Sequence, residues 1–160
     1  MLCTGELLAT VLKAHPQLRG VLLDLPHVVA EAEPVLAARG VRERCRVVGG
    51  DFFVDVPAGG DVLLLKQVLH DWDDAQATRL LLQCQRALPS GGTLLAVEMV
   101  LPADNTPSPV QAMDLNMLVM LGGRERTANE YATLFAAAGF ELKSVTQTHS
   151  PFCVIEAVRR

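Results

Sequence analysis

The sequence predicts one α/β domain built on a doubly wound, mostly parallel sheet, and three observations carry that prediction. Short apolar runs (Val21 to Leu23, Val47-Val48, Val62 to Leu65 and Leu94 to Val97) alternate with stretches of helical periodicity. Each run leads into a titratable residue: Asp24, Asp51, His70 and Glu98 in turn. Half of the 160 residues are hydrophobic and mean hydropathy is +0.28, which suits a sheet covered on both faces. Ligands of open α/β sheets bind outside the carboxyl ends of the strands, so one rim is expected to carry all four residues around one ligand.

The elements follow in order. Glu6 to His15 is expected to be a helix, with Leu7, Leu8, Val11 and Leu12 on one face and Pro16 near its end. A strand over 21–25 stops at Pro26. The next helix starts near His27, carries Val28, Val29, Val35 and Leu36, and stops at Gly40, with Pro34 able to kink or divide it. A short strand over 45–49 leads to Gly49-Gly50-Asp51-Phe52-Phe53. The turn at 57–60 introduces the strongest strand, 61–68. Asp73 with Gln76 marks a helix start, and Leu80, Leu81, Cys84 and Leu88 form its inward face. A strand over 93–100 precedes a polar, Pro-rich loop over 102–109 and a Met/Leu-rich helix over about 110–121. Thr127 and Glu130 form a capping box for a helix ending at Gly139. Two closing strands, about 141–148 and 152–158, make an antiparallel edge pair.

Composition excludes several classes. No apolar run approaches the ~20 residues that span a bilayer, and no basic region precedes an apolar one at the N-terminus, so a cytoplasmic location is expected. Net charge is −4 and the basic residues form no stripe, which argues against nucleic-acid binding. Cys3, Cys45, Cys84 and Cys153 lie far apart without metal-ligand spacing and read as buried thiols. The start is unusual: in nucleotide-binding folds of this kind a first strand and a glycine-rich turn precede the first helix, and here only Thr4-Gly5 resembles the tail of such a turn.

The stretches HPQLRGVLLDLPHVV, RCRVVGGDFF, DVLLLKQVLHDWDD, LLAVEMVLP, DLNMLVMLGGRERT and AAAGF occur together and in order. With them the chain resembles the catalytic domain of the caffeate/hydroxyindole-type O-methyltransferases that use S-adenosylmethionine (SAM), especially the bacterial natural-product relatives. The resemblance implies a Rossmann-like methyltransferase sheet with an antiparallel edge, and methyl transfer to a small-molecule hydroxyl, usually phenolic. It also implies an N-terminal helical domain that makes a full-length protein a homodimer. Against that pattern, residues 1–160 are expected to be the SAM-binding catalytic domain cut inside the glycine-rich motif, where Met1-Leu2-Cys3 replaces the glycines. The dimerisation domain and the first strand are expected to lie outside these residues. That strand lies mid-sheet in the family, so the 160 residues alone are expected to be unstable, aggregated or repaired by pairing with another chain.

The candidate residues follow, each beside its plainer reading. Gly5 is the remnant of the cofactor turn. Asp24 is suited to accept both ribose hydroxyls, or else caps the helix near His27. Asp51 resembles the family's adenine-contacting carboxylate, with Phe52 either on the ring or in the core. Lys66 interrupts an apolar strand and either reaches the cofactor or snorkels at an edge. Trp72 flanks the adenine or anchors the following helix. His70 is the candidate general base: imidazole, with an ordinary pKa near ~6.5, suits removal of a hydroxyl proton at neutral pH. Glu98, at the end of the neighbouring strand, is expected to accept from the second imidazole nitrogen and so hold the tautomer. Glu125 matches the family's second orienting acid, or is a solvated loop charge. Arg126 braces that loop. Met117, on a helix striped with Met113 and Met120, contacts the acceptor by resemblance, or is core.

The chemistry needs no metal, because the sulfonium is already a charged leaving group and catalysis reduces to deprotonation and in-line positioning. Two further readings compete with the O-methyltransferase: a truncated, non-catalytic remnant with weak or no SAM binding, and a dinucleotide-dependent oxidoreductase. The latter lacks an intact GxGxxG. Glycoside hydrolysis by two carboxylates would leave His70 idle.

Overall fold

The computed structural model describes residues 5–104 and 106–160, so Met1 to Thr4, including the altered glycine turn and Cys3, lie outside the described residues. The chain forms two compact units, one up to Pro57 and one from Ala58 onward.

In the first unit, helix α1 (Glu6–Ala14) is followed by strand β1 (Gly20–Asp24). The single helix expected from His27 to Gly40 is two: α2 (Pro26–Val29) and α3 (Ala32–Ala38). Pro34 has no amide hydrogen and sits in the first turn of α3, where none is needed, so the break falls just upstream of it. Strand β2 (Cys45–Gly49) pairs in parallel with β1, Asp24 standing opposite Gly49. Ala9, Leu12, Leu22, Ala32, Leu36, Val41 and Cys45 close the core of this unit. Arg44 ties the loop after α1 down by donating to the carbonyls of Leu12, His15, Pro16 and Leu18.

The second unit holds a four-stranded sheet of β3 (Val62–Lys66), β4 (Thr93–Glu98), β7 (Phe140–Gln147) and β8 (Cys153–Arg159) in the order β3-β4-β8-β7. β3 and β4 are parallel, and the closing hairpin supplies the expected antiparallel edge, with β8 on the inside. The strand expected over 61–68 ends early because Gln67 takes a left-handed φ of 53°, and the chain then tightens into a 3-10 turn over Leu69–Asp71. The strand expected over 93–100 breaks at Met99 into β4 and the short β5 (Val100–Leu101), which pairs with β6 (Arg126–Thr127).

Three helices complete this unit: α4 (Asp74–Ala87), α5 (Pro109–Leu121) and α6 (Ala128–Ala137). Asp73 caps α4 by accepting from the Gln76 amide at 2.8 Å, and Thr127 with Glu130 closes the expected capping box on α6. Leu80, Leu81, Leu94, Phe135, Phe140 and Ile155 are fully buried in the core. Among the described residues β1 pairs with β2 alone and β3 with β4 alone. No helix among them is long and apolar enough to cross a membrane.

Candidate active site

In the second unit the site grows from the way β3 ends. The turn at Gln67 points the amides of Val68 and Leu69 at β4, and the Glu98 carboxylate, fully buried, accepts both with one oxygen at 2.9 and 2.8 Å. His70 follows on the 3-10 turn and is buried. Its Nδ1 lies 2.9 Å from Glu125 Oε1 and 3.9 Å from Glu98 Oε2, and its Nε2 lies 3.3 Å from Asp71 Oδ1.

The expected order of the two glutamates is therefore reversed. Glu98 was expected to hold the imidazole, but its Oε1 is taken by two backbone amides and its Oε2 stands 3.9 Å from Nδ1, beyond hydrogen-bond reach. Glu125, also fully buried, makes the hydrogen bond instead, so the solvated-charge reading of Glu125 fails. A carboxylate on Nδ1 keeps the proton there and leaves the lone pair on Nε2.

The charges around His70 set its basicity. Burial pulls its pKa down, but the hydrogen bond to Glu125 and the fields of Glu98, Glu125 and Asp71 outweigh burial, and the net shift is upward. Burial lifts Glu98 to about 7, against the opposing pull of His70 and the two amides.

Arg126, expected to brace its own loop, reaches across to the turn that carries His70. It is 1% exposed and donates to the carbonyls of Leu69 and Trp72 and to Asp74 Oδ1. Asp114 on α5 accepts from the Glu125 amide at 2.8 Å. Asp71, Asp74 and Asp114 were not singled out from the sequence. The first two lie inside HDWDD and could have been, whereas Asp114 carries no local signal.

The remaining candidates divide by unit. In the first, Asp24 and Asp51 stand past the carboxyl ends of β1 and β2. One Asp24 oxygen accepts from the Leu25 amide at 2.7 Å and one Asp51 oxygen from the Phe53 amide at 2.8 Å. Asp24 is not a helix cap: Leu25 occupies that position and no side chain caps α2. Gly5 caps α1 with φ 83°, and a Cβ there would meet a Leu22 methyl at 3.2 Å. Phe52 packs edge-on against Phe53, ring centroids 4.9 Å apart. In the second unit, Lys66 donates to Gln67 Oε1 at 2.8 Å and its ammonium stands 5.3 Å from the Phe152 ring. Trp72 is half-buried, and its carbonyl is one of the Arg126 acceptors. The methionine stripe is broken: Met117 is 9% exposed and Met120 69%. Among the described residues no group of His, Cys, Asp or Glu is placed to hold a metal ion.

Comparison with known proteins identifies the family. Residues 3–141 match the model of the O-methyltransferase domain family. Phenazine O-methyltransferase PhzM of Lysobacter antibioticus is 51% identical over 153 residues, covering 96% of this chain and 45% of that protein. The crystal structure of LaPhzM superposes with a TM-score of 0.93 at 49% identity, covering 99% of this chain and 48% of that one. NcsB1, an O-methyltransferase of neocarzinostatin biosynthesis solved with SAM and 2-hydroxy-5-methyl naphthoic acid, gives a TM-score of 0.88 at 36% identity, over 98% of this chain and 46% of its own. The chain thus spans about half the length of the relatives it matches. By sequence and by fold alike, it belongs to the O-methyltransferase domain family.

Proposed function

We propose that the chain is the SAM-binding catalytic domain of an O-methyltransferase that methylates a hydroxyl, phenolic in type, on a small natural product, with His70 as general base. The observation that carries this reading is the buried bond from His70 Nδ1 to Glu125, 2.9 Å long, which leaves Nε2 as the basic nitrogen. The relatives support the substrate class, since a SAM complex and a hydroxynaphthoic acid were captured together in NcsB1.

The donor set of the first unit fits a nucleoside. Asp24 ends β1 and Asp51 lies two residues past the end of the neighbouring parallel β2, and each has committed one oxygen to a local amide. Their second oxygens make no hydrogen bond to a described residue and can accept from ribose hydroxyls and an amino group. Gly5, Phe52, Lys66 and Trp72 belong to the same cofactor assignment, and Met117 to the acceptor. When bound, SAM supplies a methyl on a positively charged sulfur, already activated for transfer.

The chain's own residues do the rest. His70 Nε2 takes the acceptor's hydroxyl proton as the oxygen becomes nucleophilic. Glu125 on Nδ1 and Asp71 near Nε2 then stabilise the imidazolium, and Glu98 holds the amides of the turn. The N-terminal helical domain, homodimer and cytoplasmic location belong to the same reading. Methyl transfer to a panel of phenolic natural products, followed by mass spectrometry in a complete enzyme, tests it. The expected result is an added methyl with native His70 and none with His70→Ala; equal transfer by both would remove His70 as base.

A further inference from the structure

The turn that carries His70 is short and irregular. It leaves β3 through a left-handed Gln67 and makes a single 3-10 turn, so its shape depends on what surrounds it. On one side Glu98 accepts the amides of Val68 and Leu69, and on the other stands the segment 123–126. Arg126 Nη1 donates to the Leu69 carbonyl at 2.9 Å and Nη2 to the Trp72 carbonyl at 2.8 Å, so one guanidinium grips the chain on both sides of His70. Its Nε and Nη2 share Asp74 Oδ1 at 2.9 and 2.8 Å, which fixes the fork. Between these grips the Arg124 amide donates to the His70 carbonyl at 2.9 Å.

Gly123 closes the clamp. A Cβ on it would stand 2.0 Å from the His70 carbonyl oxygen and 2.7 Å from the Asp71 carbonyl carbon. Both are backbone atoms and cannot swing aside. No side chain fits there unless the turn moves.

We infer that Gly123 and Arg126 are positioning residues for His70, the 123–126 segment acting as a rigid template that holds the imidazole against Glu125. The inference rests on the reading of His70 as the base. Neither residue touches the ring. They act through the turn, and Glu125, between them in sequence, receives Nδ1. A hydrogen bond weakens steeply as its angle closes, so a small displacement of the turn would uncouple the ring from its acceptor.

The test is a pH titration of the His70 ring by nitrogen-15 NMR in a complete enzyme, unaltered and as Gly123→Ala, Arg126→Met and Arg126→Lys. The charged groups facing the ring are Asp71, Glu98 and Glu125. With all three present the unaltered enzyme should show a downfield, slowly exchanging Nδ1-bound proton and a raised midpoint. In Gly123→Ala and Arg126→Met that proton signal should be lost and the midpoint should fall toward ~6.5. Arg126→Lys, which keeps the charge but cannot fork, should fall less. In turnover, kcat should drop by about 100-fold while KM for SAM stays within about two-fold. Lowered melting temperatures with an unchanged His70 titration in both main variants would overturn the inference. If Arg126→Met does not fold, Gly123→Ala decides alone. Normal turnover by His70→Ala would remove the base reading yet leave the titration result standing, so the two failures are distinguishable.

Discussion

The carboxylates past β1 and β2 and those around His70 come from the same chemical stock but are treated in opposite ways. Asp24 and Asp51 are reachable by water, and each is held by one amide of its own loop, so half of each carboxylate is left for a ligand. Glu98 and Glu125 are sealed from solvent and tied to elements far away in sequence: Glu98 to the turn after β3, Glu125 to His70 and, through its amide, to α5. A group that recognises hydroxyls has to shed its water when the ligand arrives, so it stays near the surface. A group that tunes a proton gains from a dry, over-determined setting, where charges act strongly.

Substitutions should separate the two regions sharply. The largest effect is expected from His70→Ala in a complete enzyme: turnover falls by roughly 10² to 10⁴, while calorimetric SAM affinity is unchanged. A matching loss of SAM affinity would erase the distinction between the regions. Next comes Glu98→Ala, which strands two buried amides and should cost about 2–4 kcal/mol in urea unfolding, whereas Glu98→Gln keeps an acceptor and should cost far less. Asp24→Ala should do the reverse of both: about tenfold weaker SAM binding with little change in stability, since its side chain holds only the adjacent amide.

The smallest effect is a slope. Glu98 holds its proton in the folded state to about 7, well above its ordinary value, so between ~4.5 and about 7 the native state binds more protons than the unfolded one. Stability should therefore fall as pH rises through that window. His70 adds to the fall: its raised pKa stabilises the fold below ~6.5, and that contribution is lost as pH climbs past its folded value. Denaturant midpoints at pH 5 and pH 8 should show the slope in the native chain and a shallower one in Glu98→Gln. An equal slope in both would mean that burial does not hold the Glu98 proton.

Much of this was legible in the residues, and the misreadings are specific. Apolar runs located β1, β2, β3 and β4 to within a few positions, and the caps at Asp73 and Thr127 were readable because a cap is a local bond between near neighbours. Placing Glu98 on the imidazole failed for a reason outside local sequence. The left-handed Gln67 turns two amides onto Glu98 Oε1, and the other oxygen is left 3.9 Å from Nδ1. The methionine stripe was ambiguous because α5 is apolar nearly all round. Periodicity alone could not say that Met117 faces inward while Leu118, Val119 and Met120 are exposed.

By itself the sequence determined the α/β class, the parallel pairing of runs that end in titratable residues, the helix caps and the membership of an O-methyltransferase family. These follow from periodicity and from bonds between near neighbours. Only the tertiary structure decided that Glu125 rather than Glu98 holds His70, that Arg126 grips the turn from both sides, and that position 123 admits no side chain. Each of these depends on atoms roughly thirty to sixty residues apart being brought within hydrogen-bonding or van der Waals reach, which no local pattern encodes.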